Sequence, residues 1–255
     1  NRTIDRVELD NAFAELAKSK GIQIKENTTI SEHDADKKEL KLSNGEILTY
    51  EKLIFADGTS GFGSRLQPAR KKNIAMQLVF PNSAAEEIQI HFGITKRGYG
   101  WVSSYGGFTN VGLTDVFDKS VNYHEVFAGF LKQLGLQADM SELRGAFTPM
   151  KVGEGKACED IYFVGDAVGA CDPMTLSGLR YGLDSGRLCA EAIAKKDDRL
   201  YFACIRKMKK KFALMRTLQK IFYLKVCQVC VFDIGCRCFH RAIAYVFNHF
   251  FVNKK

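Results

Sequence analysis

No run of 18 or more uncharged apolar residues occurs in the 255-residue sequence, so it carries no evident membrane-spanning helix. No nucleic-acid-binding module is recognisable, and no nucleic-acid partner is expected. The phosphate-binding fingerprint G-x-G-x-x-G is absent throughout. Eight cysteines sit at irregular spacings without a signal-peptide pattern, which predicts reduced thiols and a cytoplasmic setting. Apolar residues are plentiful: at 46% they predict a globular chain with a sizeable core, as one large domain or two smaller ones. The net charge of +8 admits anionic partners such as phosphate-bearing cofactors or acidic lipid surfaces, and the basic excess falls mostly in the last quarter.

The most informative stretch is Ile161 to Ile193. Four strand-like apolar residues, Ile161 to Val164, run into Gly165-Asp166, then a turn with Asp172-Pro173, then about 20 residues of helical pattern. A strand, a tight turn and a helix N-terminus together hold an anionic or polar ligand, because the first helical N–H groups point outward and the dipole favours negative charge. Gly178, Gly182, Gly186 and Ala190 recur every four residues. Glycine is costly inside a helix, so this stripe predicts a backbone or flat ligand lying very close.

This run resembles the Gly-Asp flavin motif of the FAD-dependent oxidoreductases related to p-hydroxybenzoate hydroxylase, and within them it is most similar to the geranylgeranyl reductase family. The match comprises Gly165, Asp166, Ala167, Gly169, Asp172, Pro173, Thr175, Gly178, Ser185, Gly186, Ala190, Glu191 and Ala192. It departs at Cys171 and at Leu176-Ser177, where the family usually has Gly-Glu. The resemblance implies that Asp166 binds the ribityl or pyrophosphate region of FAD and that Gly178 and Leu179 set backbone N–H groups beside the isoalloxazine, with Gly165 and Pro173 shaping the site. It places Cys171 beside the flavin, as a redox or substrate-cavity residue or as small-residue packing. In the family the phosphate fingerprint lies upstream, so the expectation is a partial fold that begins after the ADP-binding βαβ unit.

Earlier in the chain, Asp5 and Glu8 have the spacing of a helix cap, Leu9, Phe13, Leu16 and Ala17 form one apolar face, and Gly21 follows as a stop. The family places a flavin-contacting arginine where Arg6 stands; an exposed first-turn arginine without function is the alternative. Ile22 to Lys25 and Thr28 to His33 read as strands, and the resemblance brings the Ile30 backbone to the adenine side of FAD. Leu40, Leu42, Asn44-Gly45, Ile47 and Leu48 predict a hairpin with a type I′ turn. Leu53 to Ala56 predicts a buried strand ending in Asp57-Gly58, which resembles a second flavin signature, although alone it is a turn signal.

From Asn73 to Pro149 the apolar residues alternate, as in Met76-Leu78-Phe80, Ile88-Ile90-Phe92 and Val111-Leu113. The run Gly98 to Val102 holds the only tryptophan. It resembles the family's substrate-domain segment, although Ser103-Ser104-Tyr105 replaces Phe-Pro-Lys. Tyr99 and Trp101 either wall a cavity over the flavin or pack the sheet. Phe127, Phe130, Leu131 and Leu134 predict an amphipathic helix.

After Lys196 the chain is basic and aromatic, with four lysines between Lys207 and Lys211. It reads as helices packed on the substrate domain or lying on a membrane surface. Cys227, Cys230, Cys236, Cys238 and His240 lie in an apolar helical stretch where cysteine acts as a small hydrophobe, and no metal is expected.

The expected fold class is α/β with α+β character: a partial p-hydroxybenzoate hydroxylase-like FAD-binding fold with an antiparallel-sheet substrate domain and C-terminal helices. The expected divisions are 1–67 and 151–196 for the FAD-binding part, 68–150 for the substrate sheet and 197–255 for the helical region. The resemblance implies reduction of isoprenoid carbon–carbon double bonds in a lipid or prenyl substrate, with FAD as cofactor, NAD(P)H or ferredoxin as electron donor and peripheral membrane contact. A flavin monooxygenase, a halogenase or a non-catalytic remnant are the alternatives, and no catalytic residue is assignable.

Overall fold

Helix α1 (Arg6–Ser19) is the first element of the computed structural model, which describes residues 6–68, 71–81, 88–224 and 227. The expected cap at Asp5 lies outside the described residues. The helix stops as its sequence predicts: Gly21 takes φ +81°, and the N–H of Ile22 reaches back to the carbonyl of Ala17 at 3.1 Å. Its apolar face, however, is not buried: Phe13 is 44% and Leu16 54% exposed. The expected strand at residues 22–25 is irregular chain, because no neighbouring strand pairs with it among the described residues.

A small antiparallel sheet follows, with β1 (Ile30–Asp34), β2 (Glu39–Leu42) and β3 (Ile47–Thr49) in that order. The hairpin between β2 and β3 is present, but its turn differs from the expected type I′. Gly45 has φ +85° while Asn44 has no positive φ, and the N–H of Gly45 bonds the Leu42 carbonyl at 2.9 Å. This is a type I turn followed by a left-handed glycine, the three-residue alternative that Asn-Gly also serves.

Strand β4 (Leu53–Phe55) leads into the one-turn helix α2 (Phe62–Arg65). A five-stranded antiparallel sheet comes next: β5 (Lys72–Pro81), β6 (Gln89–Phe92), β7 (Tyr99–Tyr105), β8 (Phe108–Val116) and, after helix α3 (Tyr123–Gln133), β9 (Arg144–Pro149). Its spatial order is β6-β7-β8-β5-β9. One face is closed by α3, whose Phe127 and Phe130 pack on Met76, Leu78, Val111 and Leu113. The alternation of β6 was legible, but its burial is inverted. His91 turns to the core, 5.3 Å from the Phe130 ring, while Ile90 pairs opposite Trp101 on the other face.

Strands β10 (Lys156–Cys158) and β11 (Ile161–Phe163) complete a three-stranded sheet in the order β10-β11-β4, in which β11 and β4 run parallel. Ile161, Tyr162 and Phe163 are all buried, as expected of a parallel strand covered on both faces. Helices α4 (Leu179–Lys195) and α5 (Arg199–Phe222) pack on each other beside this sheet. The buried positions of α5, Tyr201, Ile205, Met208 and Phe212, recur at helical spacing and join the core of the β11 sheet. Tyr201 is fully buried, and its hydroxyl donates to the carbonyls of Gly155 at 3.0 Å and of Phe163.

No described helix is long and apolar enough to cross a membrane. Two of the four clustered lysines on α5 are engaged internally: Lys209 pairs with Glu154 at 2.7 Å, and Lys211 bonds the Tyr181 hydroxyl. Cys230, Cys236, Cys238 and His240 lie outside the described residues.

Tyr201→Phe is expected to lower the unfolding free energy by about 1–2 kcal/mol, because two carbonyls of the dry core lose their common donor. Equilibrium urea denaturation checks this, and an unchanged midpoint would refute the role.

Candidate functional site

Strands β4 and β11 run in the same direction, with Phe55 opposite Phe163, so Asp57-Gly58 and Gly165-Asp166 leave the sheet at one edge. Ligands of parallel sheets bind outside this carboxyl-terminal edge. After Val164, which is buried, Gly165 takes φ +58° and Gly165–Ala167 form a single 3-10 turn. The Gly165 carbonyl then accepts from Val168 at 3.2 Å and Ala170 at 2.9 Å, which folds the loop back on itself.

Helix α4 meets this turn at backbone distance. A Cβ placed on Gly165 or on Gly182 would lie 3.8 Å from the Cα of the other. Ser185, fully buried, accepts from the Gly165 N–H at 3.0 Å and donates to the Gly182 carbonyl at 3.0 Å. The packed face of α4 therefore runs through Gly182, Ser185, Cys189 and Ala192. The predicted four-residue stripe continues only in part: Gly186 meets nothing within 4 Å, and Ala190 is exposed. Steps of four advance about 400° around a helix, so such a stripe rotates out of a straight contact by roughly 40° per step.

Gly178 is the N-cap of α4 and supplies no side-chain cap. A Cβ there would come 3.2 Å from Asp166 Oδ1 and 3.7 Å from Cys171 Sγ. Gly165, Asp166, Cys171, Gly178 and Leu179 thus lie around one cradle. Cys171 is buried, and burial, reinforced by the carboxylates of Asp166 and Asp172, pushes its thiol well above the usual range and keeps it protonated.

The segment from Asp172 to Ser177 is a closed loop. Asp172 Oδ1 accepts from Met174 N at 3.0 Å, the Asp172 carbonyl from Leu176 N at 2.8 Å, and the Ser177 carbonyl from Asp172 N at 3.1 Å. Leu176 has φ +55°, a left-handed conformation that glycine adopts freely. Gln219 of α5 donates to the Pro173 carbonyl at 3.0 Å, and the Tyr99 hydroxyl donates to the Thr175 carbonyl at 2.8 Å. Burial holds the Tyr99 phenol at about 12, so it remains a donor.

Between this loop and the open face of the five-stranded sheet lies a cavity of about 390 Å³. Ala75, Ile90, Tyr99, Trp101 and Thr148 line it from the sheet, and Thr175 and Leu176 from the loop. On the neighbouring strand β8, the Trp101 ring occupies the space that a side chain at Gly112 would take. Tyr99 and Trp101 are therefore brought to the Pro173 loop. Thr148 and Leu176 were not among the predicted residues. Thr148 gave no sequence signal, and Leu176 gave one only as a departure from the family pattern.

The remaining predicted residues are placed elsewhere or are otherwise engaged. Arg6 is exposed on α1 and bonded to Asp10 at 3.1 Å. Ile30 packs against the core of the β11 sheet. Asp57 shares the sheet edge with the cradle, but its Oδ2 accepts from Gly63 N at 2.7 Å and so starts α2.

Gly165→Ala is expected to cost about 1–2 kcal/mol, the penalty of a left-handed alanine. Gly182→Ala meets only ordinary contact and gains helix propensity, so it is expected to be neutral or stabilising by up to about 1 kcal/mol. Thermal denaturation of both variants checks the pair, and a reversed order would refute this packing.

No family model matches the chain. A menaquinone reductase of Mycobacterium tuberculosis is 23% identical over 224 residues, covering 76% of this chain and 54% of its own length. The chain spans about half the length of the curated relatives it matches. Among solved structures, a geranylgeranyl bacteriochlorophyll reductase-like protein of Thermoplasma acidophilum superposes with a TM-score of 0.65 at 21% identity, over 86% of this chain and 64% of that one. A flavin-dependent brominase superposes with a TM-score of 0.68 at 16% identity, over 96% and 69%. The fold of this chain is the p-hydroxybenzoate hydroxylase-like fold that FAD-dependent reductases, halogenases and monooxygenases share.

Proposed function

We propose that this chain is the flavin-and-substrate portion of an FAD-dependent oxidoreductase that reduces carbon–carbon double bonds of an isoprenoid lipid. The observation that carries this is the cradle at Asp166 and Gly178, set beside a cavity with apolar walls. The residues present fit the flavin end of FAD. Asp166 offers a carboxylate to polar hydroxyls, the uncapped start of α4 offers N–H groups at Gly178 and Leu179, and glycine at 178 leaves the room that a side chain would fill. Bound and reduced, FAD supplies the hydride that such a reduction needs.

The chain's own residues orient and desolvate. Tyr99 and Gln219 fix the Pro173–Leu176 loop, while Ile90, Trp101 and Leu176 give the cavity the dry surface that an alkene requires. NAD(P)H or ferredoxin would supply electrons, and a lipid substrate would be met at a membrane surface, where the outward lysines of α5, Lys207 and Lys210, favour anionic headgroups. The resemblance to geranylgeranyl reductases and the menaquinone reductase relative support a lipid substrate.

Asp166→Ala is expected to weaken FAD binding by about tenfold or more, the loss of a charged hydrogen-bonding group, with little change in melting temperature. Quenching of FAD fluorescence on titration measures it, and unchanged affinity would remove the cradle assignment. For the reaction, the reduced protein incubated with prenyl lipids is expected to yield products heavier by two hydrogens per double bond in mass spectrometry. Gain of oxygen or halogen would assign the site to a monooxygenase or halogenase instead.

A further inference from the structure

The outward face of α5 carries an apolar row that nothing in the fold uses. Leu214, Leu218 and Ile221 recur at steps of four and three, so they stand on one face of the helix, and they are 55%, 40% and 47% exposed. Lys210 and Lys207, four and seven residues before Leu214, continue the same face and are exposed. The buried face, marked by Ile205, Phe212 and Gln219, is offset from this row by two residues, or about 200°. α5 contains no aspartate or glutamate, so no acidic side chain of the helix neutralises these lysines. Lys209 and Lys211, in contrast, turn aside to Glu154 and to the Tyr181 hydroxyl.

An apolar ridge that continues into positive charge selects its partner. A second copy set face to face would bring together two helices without an acidic residue, and the lysines would find no counter-charge there. A layer of anionic lipid meets both needs at once, with headgroup phosphates at the lysines and an acyl boundary for the leucine and isoleucine side chains. The inward side of the same turns points to the same partner. Gln219 donates to the carbonyls of Pro173 and Arg97, and Tyr223 donates to that of Gly98. The loop that gives Thr175 and Leu176 to the cavity wall therefore stands about one helix diameter, roughly 10 Å, behind the ridge.

We propose that the outward face of α5 from Lys207 to Ile221 is the docking surface for an anionic lipid bilayer. Leu214, Leu218 and Ile221 enter the boundary between headgroups and acyl chains, while Lys207 and Lys210 pair with lipid phosphates. Docked in this way, the helix brings the cavity loop within its own thickness of the lipid. The surface rests on the lipid-substrate reading proposed above and gives it a membrane face and an orientation.

Flotation of the 255-residue protein with vesicles of phosphatidylcholine, alone or mixed with phosphatidylglycerol, tests the surface. Binding to the mixed vesicles is expected, about tenfold or more tighter than to phosphatidylcholine alone. Leu214→Ser, Leu218→Ser and Ile221→Ser combined are expected to weaken it about tenfold or more. Lys207→Glu with Lys210→Glu is expected to weaken it about twenty-five-fold or more, from about fivefold for each lysine. Lys119→Glu with Lys132→Glu makes the same charge change at exposed positions around α3 and is expected to leave binding nearly unchanged. Every altered side chain is exposed, so melting temperatures are expected to be kept. No binding to the mixed vesicles, unchanged binding in the serine variant, or equal losses from the two charge reversals would each overturn the surface. Self-association of the unaltered protein in sedimentation, abolished in the serine variant, would also overturn it and assign the face to a second copy. FAD uptake is followed separately by flavin absorbance. Vesicle binding without flavin uptake would keep the docking surface and remove the flavin-enzyme reading, and flavin uptake without vesicle binding would do the reverse.

Discussion

The site depends on the approach of the Gly165 turn to helix α4. Two glycines face each other there, and one buried hydroxyl, that of Ser185, bonds both backbones. Any larger residue at 165 would also have to enter a left-handed conformation. Because strand β11 is buried on both faces and cannot shift, the contact fixes where α4 begins. The start of α4 in turn sets the distance between Gly178 and Asp166, and with it the size of the cradle.

The second constraint is the way α5 crosses the molecule. Its buried face joins the core of the β11 sheet through Tyr201, Ile205 and Phe212, while its last turns bond the other sheet. Arg216 donates to the Met150 carbonyl at 3.0 Å, and Gln219 donates to Pro173 at 3.0 Å and Arg97 at 3.3 Å. Tyr223, just beyond the helix, donates to Gly98 at 2.8 Å. Gln219 and Tyr223 are neutral donors, which hold position without the desolvation cost of an ion pair, whereas Arg216 carries a charge that burial penalises. The cavity exists because these bonds keep the Pro173 loop over the sheet's open face. Leu176 shows how a departure in sequence is absorbed: leucine stands where the family usually has glycine, yet the backbone keeps the glycine conformation. Its side chain becomes part of the cavity wall.

Local patterns in the sequence marked most elements, the Gly-Asp turn and the start of the long helix after Asp172-Pro173. These features are written in nearest neighbours: Gly where φ is positive, Pro and Asp at a turn, and apolar residues at period two or 3.6. The same local signals gave way where two structures compete for one pattern. Asn-Gly serves two hairpin turns, and the choice between them depends on where the flanking strands pair. The apolar face of α1 and the apolar character of residues 22–25 were equally clear, yet among the described residues nothing pairs with or buries them.

By itself the sequence determined the buried strand at Ile161–Phe163, the alternation of the antiparallel sheet, the amphipathic helix around Phe127 and the residues of the Gly-Asp motif, since each depends on residues close in the chain. Only the tertiary structure decided which face of β6 is core, that Asp57 is committed to Gly63, that Arg6 is bonded within its own helix, and that Asn73 stands opposite Thr148. Periodicity says that two faces differ but not which neighbour covers each. Asn73 and Thr148 lie far apart in sequence, and the antiparallel register of β5 against β9 is what makes them neighbours.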